Sequence, residues 1–289
     1  MFNEKTVWIT GASSGIGEAL ALALAAQNAR LILSARNEDK LDAVRQKCLS
    51  VYSQQAQSLQ DQSSSEEAAD RILVLPLDVT DETSLDAKTE QAKAFTGRLD
   101  LLINNAGISQ RSTCVNTTME TYRTLFEVDV FGQIALTKLV LPIMIEQSSG
   151  HIAVTASVAG KIGVPFRTGY CAAKHAVMGF FDALRAEVAH HNIAVSTITP
   201  GFIRTDISEN ALRGDGQAFG AVDGDIKGGM EADECAQVIL KGLSKQQPEI
   251  AVGKGMEMHT LWLKRFAPKT LIKLLQKEYL KRAAKSDFE

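Results

Sequence analysis

The sequence predicts an α/β fold. It reads as a single doubly wound parallel sheet of about seven strands, with helices on both faces and a helical extension at the C-terminus. Three observations carry that prediction. Short apolar runs alternate along the chain with longer amphipathic ones. The short runs are nearly continuous in Val, Ile and Leu, as in strands buried on both faces. A glycine-rich turn joins the first run to an Ala/Leu-rich helix.

The elements follow in order. Strands are predicted over 6–10, 30–34, 72–78, 99–104, 151–155, 194–199 and 249–252. Helices are predicted over 15–27, 38–51, 82–95, 117–147, 169–190 and 232–243. Residues 1–252 read as one domain and residues 253–289 as a basic amphipathic helical extension, with no internal repeat. Two stretches depart from the pattern. Residues 54–70 are rich in Ser, Gln, Glu and Asp and read as a polar insertion, either a solvated loop or a frayed helix. Residues 201–229 hold seven glycines without strong periodicity, which suggests a flexible loop placed where a lid would be.

Composition narrows the function classes. The 289 residues include 31 basic and 34 acidic ones, a net charge of -3 that disfavours bulk nucleic-acid binding. The cysteines at 48, 114, 171 and 235 form no CxxC pair. Neither a disulfide framework nor a metal site is expected, and the usage fits a reducing compartment. Residues 1–5 lead straight into an apolar strand with no signal-peptide pattern, and no uninterrupted apolar run is long enough to span a bilayer. The expectation is a cytoplasmic protein.

The turn after the first strand reads Gly11-Ala12-Ser13-Ser14-Gly15-Ile16-Gly17. Glycines allow a tight turn and a close backbone approach to a pyrophosphate. The helix behind them offers free N–H groups and a positive dipole end. The turn follows a first strand and opens a helix, the context in which a dinucleotide binds. The second strand ends Ser34-Ala35-Arg36. An acid here would accept ribose hydroxyls and repel a 2'-phosphate; Arg36 instead offers a planar, permanently charged donor set to that phosphate. NADP(H) is therefore the expected cofactor. Tyr170 and Lys174 stand at i and i+4 near a helix start, so they share a face. A free tyrosine has a pKa of about 10 and needs its phenolate stabilised to exchange protons near neutrality, which an adjacent ammonium provides. Ser157 follows the strand 151–155, where parallel-sheet chemistry is expected.

The spacing Thr10-Gly11-x3-Gly15-x-Gly17, with Asn104-Asn105-Ala106-Gly107 after the fourth strand, resembles the short-chain dehydrogenase/reductase family, from about residue 5 to 252. That resemblance implies a Rossmann-type domain and assigns Ser157, Tyr170 and Lys174 as the catalytic set. Tyr170 would be the general acid in reduction, Lys174 would also hold the nicotinamide ribose, and Ser157 would polarise the carbonyl. It further implies cofactor contacts from Gly11, Ser13, Ser14, Gly15, Ile16, Gly17, Arg36, Asn105, Ala106 and Gly107. Asp78-Val79 resembles the pair that binds adenine; its plainer reading is a helix N-cap region, and the two are compatible. Pro200-Gly201 resembles the family's Pro-Gly motif, which carries Ile203 and Thr205 over as contacts to the nicotinamide carboxamide and diphosphate.

One position departs from the family. In Glu127-Val128-Asp129-Val130-Phe131-Gly132, Asp129 stands where an asparagine usually completes a proton relay through water. An ionised aspartate accepts hydrogen bonds but cannot donate them. The relay survives through the backbone carbonyl or is weakened, and both stay open here. The stretch 169–181 is similar to the dehydrogenase/reductase member 7 group, related to the 11β-hydroxysteroid dehydrogenases, which implies a lipophilic carbonyl or alcohol as substrate. Cys171 and His175 read as packing residues. The resemblance also implies a homodimer or homotetramer through helices 117–147 and 169–190. The alternative is an NADP(H)-binding sensor on the same fold with little turnover.

From Lys264 to Lys285 there are eight basic residues and one acidic one, Glu278, interleaved with an apolar face. Such a helix packs on the core or a partner subunit, or lies on an anionic membrane. The sequence shows no lipidation motif and no N-terminal anchor, which favours packing.

Overall fold

A computed structural model describes residues 1–58, 68–221 and 224–284. The strands are β1 Thr6–Thr10, β2 Arg30–Ser34, β3 Ile72–Val74, β4 Leu101–Asn104, β5 Gly150–Thr155, β6 Ile193–Pro200 and β7 Glu249–Val252. They form one sheet in the order β3-β2-β1-β4-β5-β6-β7, and every neighbouring pair is parallel. The winding reverses between β1 and β4, which opens a crevice beyond the carboxyl ends of those strands.

The helices are α1 Gly15–Ala25, α2 Glu38–Ser58, α3 Glu82–Thr96, α4 Met119–Phe126, α5 Gly132–Glu146, α6 Thr168–Val188, α7 Ala232–Ser244, α8 Met256–Phe266 and α9 Pro268–Ala283. Strand side chains alternate between two cores, as the pleat requires. Val7, Ile9, Leu31 and Leu33 pack with α1, α2 and α7. Trp8, Ile32, Leu102 and Ile152 pack with α3, α5 and α6 on the other face. Burial on both faces explains why the strand sequences show no polar alternation.

Differences from the sequence reading have local causes. β3 stops at Val74 because Pro76 has no N–H to give the ladder, although Leu75 and Leu77 still donate to Leu33 O and Ala35 O at 2.9 and 3.0 Å. α2 runs on to Ser58, past the expected end at 51, with Ser50 and Ser53 bonding back to carbonyls four residues earlier. The polar insertion 54–70 is thus helical at its start, and residues 59–67 of it lie outside the described residues. The helix predicted over 117–147 is interrupted by a π-helical turn, Glu127–Phe131. By length and composition, Met119–Glu146 could cross a bilayer; here half of it is buried, and α5 packs against β4, β5 and α3. The extension is two helices, because Pro268 begins a second one at its first turn. Within 201–229 the described residues form turns and a short helical turn, Gly224–Lys227, with Leu212 bridged to Gln110 and Ile203 to Met230.

Candidate active site

The glycine turn is close-packed backbone. Gly11 and Gly15 adopt left-handed φ of 65° and 57°, open to glycine without strain. A Cβ on Gly17 would sit 2.1 Å from the Gly11 carbonyl oxygen, so α1 can approach β1 only with glycine there. Ser14 holds the N-cap of α1 without a side-chain cap bond, which leaves the first N–H groups of the helix open to an anion. Ser13 and Ile16 flank it, half-buried. Beside the turn, Ala12 N–H donates to Ser34 O at 3.1 Å, and two residues further on Arg36 stands exposed.

The end of β4 is tied to the same turn. The Asn105 amide donates to Thr10 O and Gly11 O at 3.2 and 3.3 Å, and its carbonyl accepts from Thr155 Oγ1 at 3.1 Å. The N–H groups of Asn105 and Ala106 both reach Thr10 Oγ1 at 3.0 Å. Asp78 accepts from Thr80 N and Oγ1 at 2.9 and 2.8 Å in a local turn, and the helix cap itself falls at Asp81. Val79 is buried, with its carbonyl close under Gly132. On the far side of the crevice, Gly201 N–H donates to Val252 O at 2.7 Å. Thr205 packs over Gly15, and Ile203 is buried.

At the carboxyl ends of β4 and β5 the titratable groups converge. Lys174 Nζ is buried, donates to Thr155 O at 3.1 Å and stands 5.7 Å from the Tyr170 ring centroid. Asp129 Oδ2 lies 3.7 Å from that ammonium, and Asp129 Oδ1 accepts from Ile108 N–H at 2.8 Å. Asp129 is fully buried, and its Oδ2 has no hydrogen-bond partner. Burial pushes its carboxyl above the ordinary range, while Lys174 pulls the other way. The carboxylate is thus an ion-pair partner of Lys174, a contact that sequence reasoning did not include. The π-helical turn that carries it is a rare element concentrated at functional sites. A Cβ on Gly107 would come 2.9 Å from Asp129 Oδ1 and 3.2 Å from Lys174 Nζ, so the glycine keeps this space open. Ser157 is half-buried and caps the turn Val158–Gly160, accepting from Ala159 N–H at 3.1 Å.

Two residues that the sequence reading passed over shape the site. Gln110 is fully buried and accepts from Gly169 N–H at 2.7 Å, which anchors the helix start that presents Tyr170. Thr155 joins Asn105 to Lys174. Nothing in the spacing marks either one. Cys171 does pack, accepting from Val164 N–H at 3.3 Å, and burial raises its thiol pKa. His175 does not: it is exposed, its Nδ1 donating to Cys171 O at 2.7 Å.

This arrangement agrees with a family match over most of the chain. The short chain dehydrogenase family model matches residues 5–215. The chain belongs to the short-chain dehydrogenase family. Members are oxidoreductases that bind a nicotinamide cofactor. The chain is 39% identical over 266 residues to human dehydrogenase/reductase SDR family member 7, covering 92% of this chain and 75% of that one. Among solved structures, levodione reductase matches with a TM-score of 0.72 at 27% identity, covering 87% and 96% of the two chains. A short-chain dehydrogenase/reductase from Burkholderia phymatum, in complex with NAD, matches with a TM-score of 0.75 over 93% and 95%. At 22% identity that last likeness speaks to the fold alone.

Proposed function

We propose that this short-chain dehydrogenase uses NADP(H) to reduce the carbonyl of a lipophilic substrate, or to oxidise the corresponding alcohol, with Tyr170 as the proton donor and acceptor. The observation that carries the reading is the convergence of Tyr170, Lys174 and Asp129 behind Gly107 at the strand ends. The open N–H groups of α1 suit a pyrophosphate, and Arg36 suits a 2'-phosphate. Asp78-Val79, Asn105 to Gly107 and Pro200 to Thr205 would complete the cofactor's cradle. When bound, the nicotinamide supplies or accepts the hydride.

The chain's own residues manage the proton. Ser157 donates a hydrogen bond to the substrate oxygen and orients it. As the carbonyl π pair moves to that oxygen, the Tyr170 hydroxyl gives up its proton to it. In the reverse direction the phenolate takes a proton from the alcohol. Lys174, fixed by Thr155 O, stabilises the phenolate between these states. Support for a lipophilic substrate is an apolar cleft of about 740 Å³ lined by Val164, Pro165, Cys171, Ile272, Leu275 and Tyr279, where Cys171 follows Tyr170 directly. The same reading expects a cytoplasmic homodimer or homotetramer assembled through α4–α5 and α6.

The test is NADPH oxidation by the full chain against a panel of lipophilic and small carbonyls, with NADH and Tyr170→Phe in parallel. Turnover should prefer NADPH and fall about 10²- to 10⁴-fold in the variant. Equal use of NADH would reject the cofactor assignment. Tight NADPH binding with no turnover on any carbonyl would favour the sensor.

A further inference from the structure

The helix that carries Tyr170 and Lys174 does not cap its own start. The first N–H groups of a helix need acceptors, and a side-chain oxygen at the N-cap position commonly supplies one. Arg167 holds that position in α6 and gives no side-chain cap bond, since a guanidinium carries donors only. The acceptor comes from another part of the chain. Gln110 Oε1 accepts from Gly169 N–H at 2.7 Å and from Tyr170 N–H at 3.4 Å. Just before the cap, Phe166 has a left-handed φ of 64°, a conformation costly for an aromatic residue. The entry to α6 therefore keeps its shape through the contacts around it.

Gln110 is held in turn by a hairpin distant in sequence. It is fully buried, and its amide donates to Thr117 Oγ1 at 2.9 Å. Its backbone segment runs between two others. On one side, Leu212 N–H donates to Ser109 O and Arg111 N–H donates to Leu212 O, both at 2.8 Å. On the other, Ser112 N–H donates to Phe166 O at 3.0 Å. Leu212 belongs to a hairpin, residues 211–219, in which it bridges Ala218 and Phe219 N–H donates to Ala211 O at 2.7 Å. Gly214 seats the tip of that hairpin. Its carbonyl accepts from Thr118 N–H and Thr121 Oγ1 at 2.9 and 3.0 Å, and a Cβ on it would collide with the Asn116 carbonyl oxygen.

We propose that Gln110 is the positioning residue of Tyr170, and that through it the seating of the 211–219 hairpin sets the rate of proton transfer. The capping bonds fix the first turn of α6, and with it the direction in which the phenol leaves the helix. The hairpin fixes the segment that presents Gln110. A carbonyl that steadies the hairpin is then protonated quickly, whereas one that leaves it loose is bound but turned over slowly. Substrate choice is thus expressed in kcat more than in KM. The effect on rate rests on the proposed role of Tyr170; the link from hairpin to helix does not.

Hydrogen exchange in the full chain reads the link without any substrate. Gly214→Ala unseats the hairpin tip, and Gln110→Leu removes the cap. Exchange of the Gly169 and Tyr170 amides should rise about tenfold in each, and no further in the double variant. NADPH oxidation with the fastest carbonyl of the panel reads the consequence. There kcat should fall about tenfold in each variant and no further in the two combined, with NADPH affinity and KM kept within about twofold. Thr117→Val removes only the partner of the Gln110 amide. It should give smaller changes in the same direction, and it replaces Gln110→Leu in the cycle if that variant does not fold. Wild-type exchange at residues 169 and 170 in Gly214→Ala overturns the proposal, as do losses that multiply in the double variant. If Tyr170→Phe leaves turnover intact, the proposed function fails and the claim on rate fails with it. The exchange result then judges the link alone.

Discussion

Among the described residues, the polar groups at the amino end of the sheet find partners, and several buried ones at the carboxyl end do not. The Asp100 carboxylate, beside the start of β4, accepts from Thr6 N–H at 2.9 Å and pairs with Arg98 and Lys5. Gln147 closes both backbone groups of Leu99, at 2.9 and 2.8 Å. His151, near the start of β5, meets Ser196 Oγ at 2.8 Å, and Ser196 donates onward to Gln247 O at 2.6 Å. Across the sheet, Asn104 Oδ1, Asp129 Oδ2, Gln133 Oε1 and Thr199 Oγ1 are buried without a hydrogen-bond partner. A buried polar atom left unpaired costs about 1–3 kcal/mol, so a fold keeps one only where something else is gained. The amino end is built for stability, and the carboxyl end, where the proposed chemistry lies, gives up some of it.

The sharpest way to break this comparison is at the glycine turn. Gly17→Ala drives a methyl group into the Gly11 carbonyl, against backbone that cannot swing aside. The expected cost is about 3 kcal/mol or more, seen as a loss of NADPH affinity of about a hundredfold or as unfolding. Titration of NADPH by fluorescence, beside thermal melting, separates the two. An alanine variant with wild-type affinity would mean that the turn is looser than its geometry.

His151 tests the amino end. Burial lowers its pKa from 6.5 to about 4. A histidine with a depressed folded-state pKa contributes stability that is present above 6.5 and lost as pH falls through 6.5 toward 4. At pH 5 the loss is about 2 kcal/mol. Urea unfolding across that range should show the slope, and His151→Gln, which keeps a donor for Ser196, should flatten it. Catalysis at neutral pH should be unchanged. If the histidine variant alters the pH dependence of turnover instead, the division between the two ends fails.

These two ends were not equally legible in the sequence. Glycine positions are dictated by backbone geometry, so the turn at Gly11, Gly15 and Gly17 could be read from spacing alone. The parallel sheet was legible for a similar reason, because burial on both faces leaves unbroken Val/Ile/Leu runs. Gln110 and Thr155 were not, since each acts through a partner distant in sequence, and no periodicity encodes such a pairing. His151 looked like any strand residue. Asp129 stood out as a departure, but its role depends on the π-helical turn that directs it toward Lys174, and that turn has no local signature.

Asp129 is also where the smallest predicted effect says most about mechanism. A carboxylate 3.7 Å from Lys174 offsets part of the ammonium's field at the Tyr170 phenol. Asp129→Asn removes the opposing charge and keeps the shape, leaving the ammonium to act alone. The pH profile of alcohol oxidation should then move to lower pH by about one unit, with a gain in oxidation at neutral pH and a smaller loss in reduction. A profile that stays in place while turnover falls in both directions would mean that Asp129 acts by holding Lys174 in position. The carboxylate would then be part of the scaffold, and the tuning of the proton would lie elsewhere.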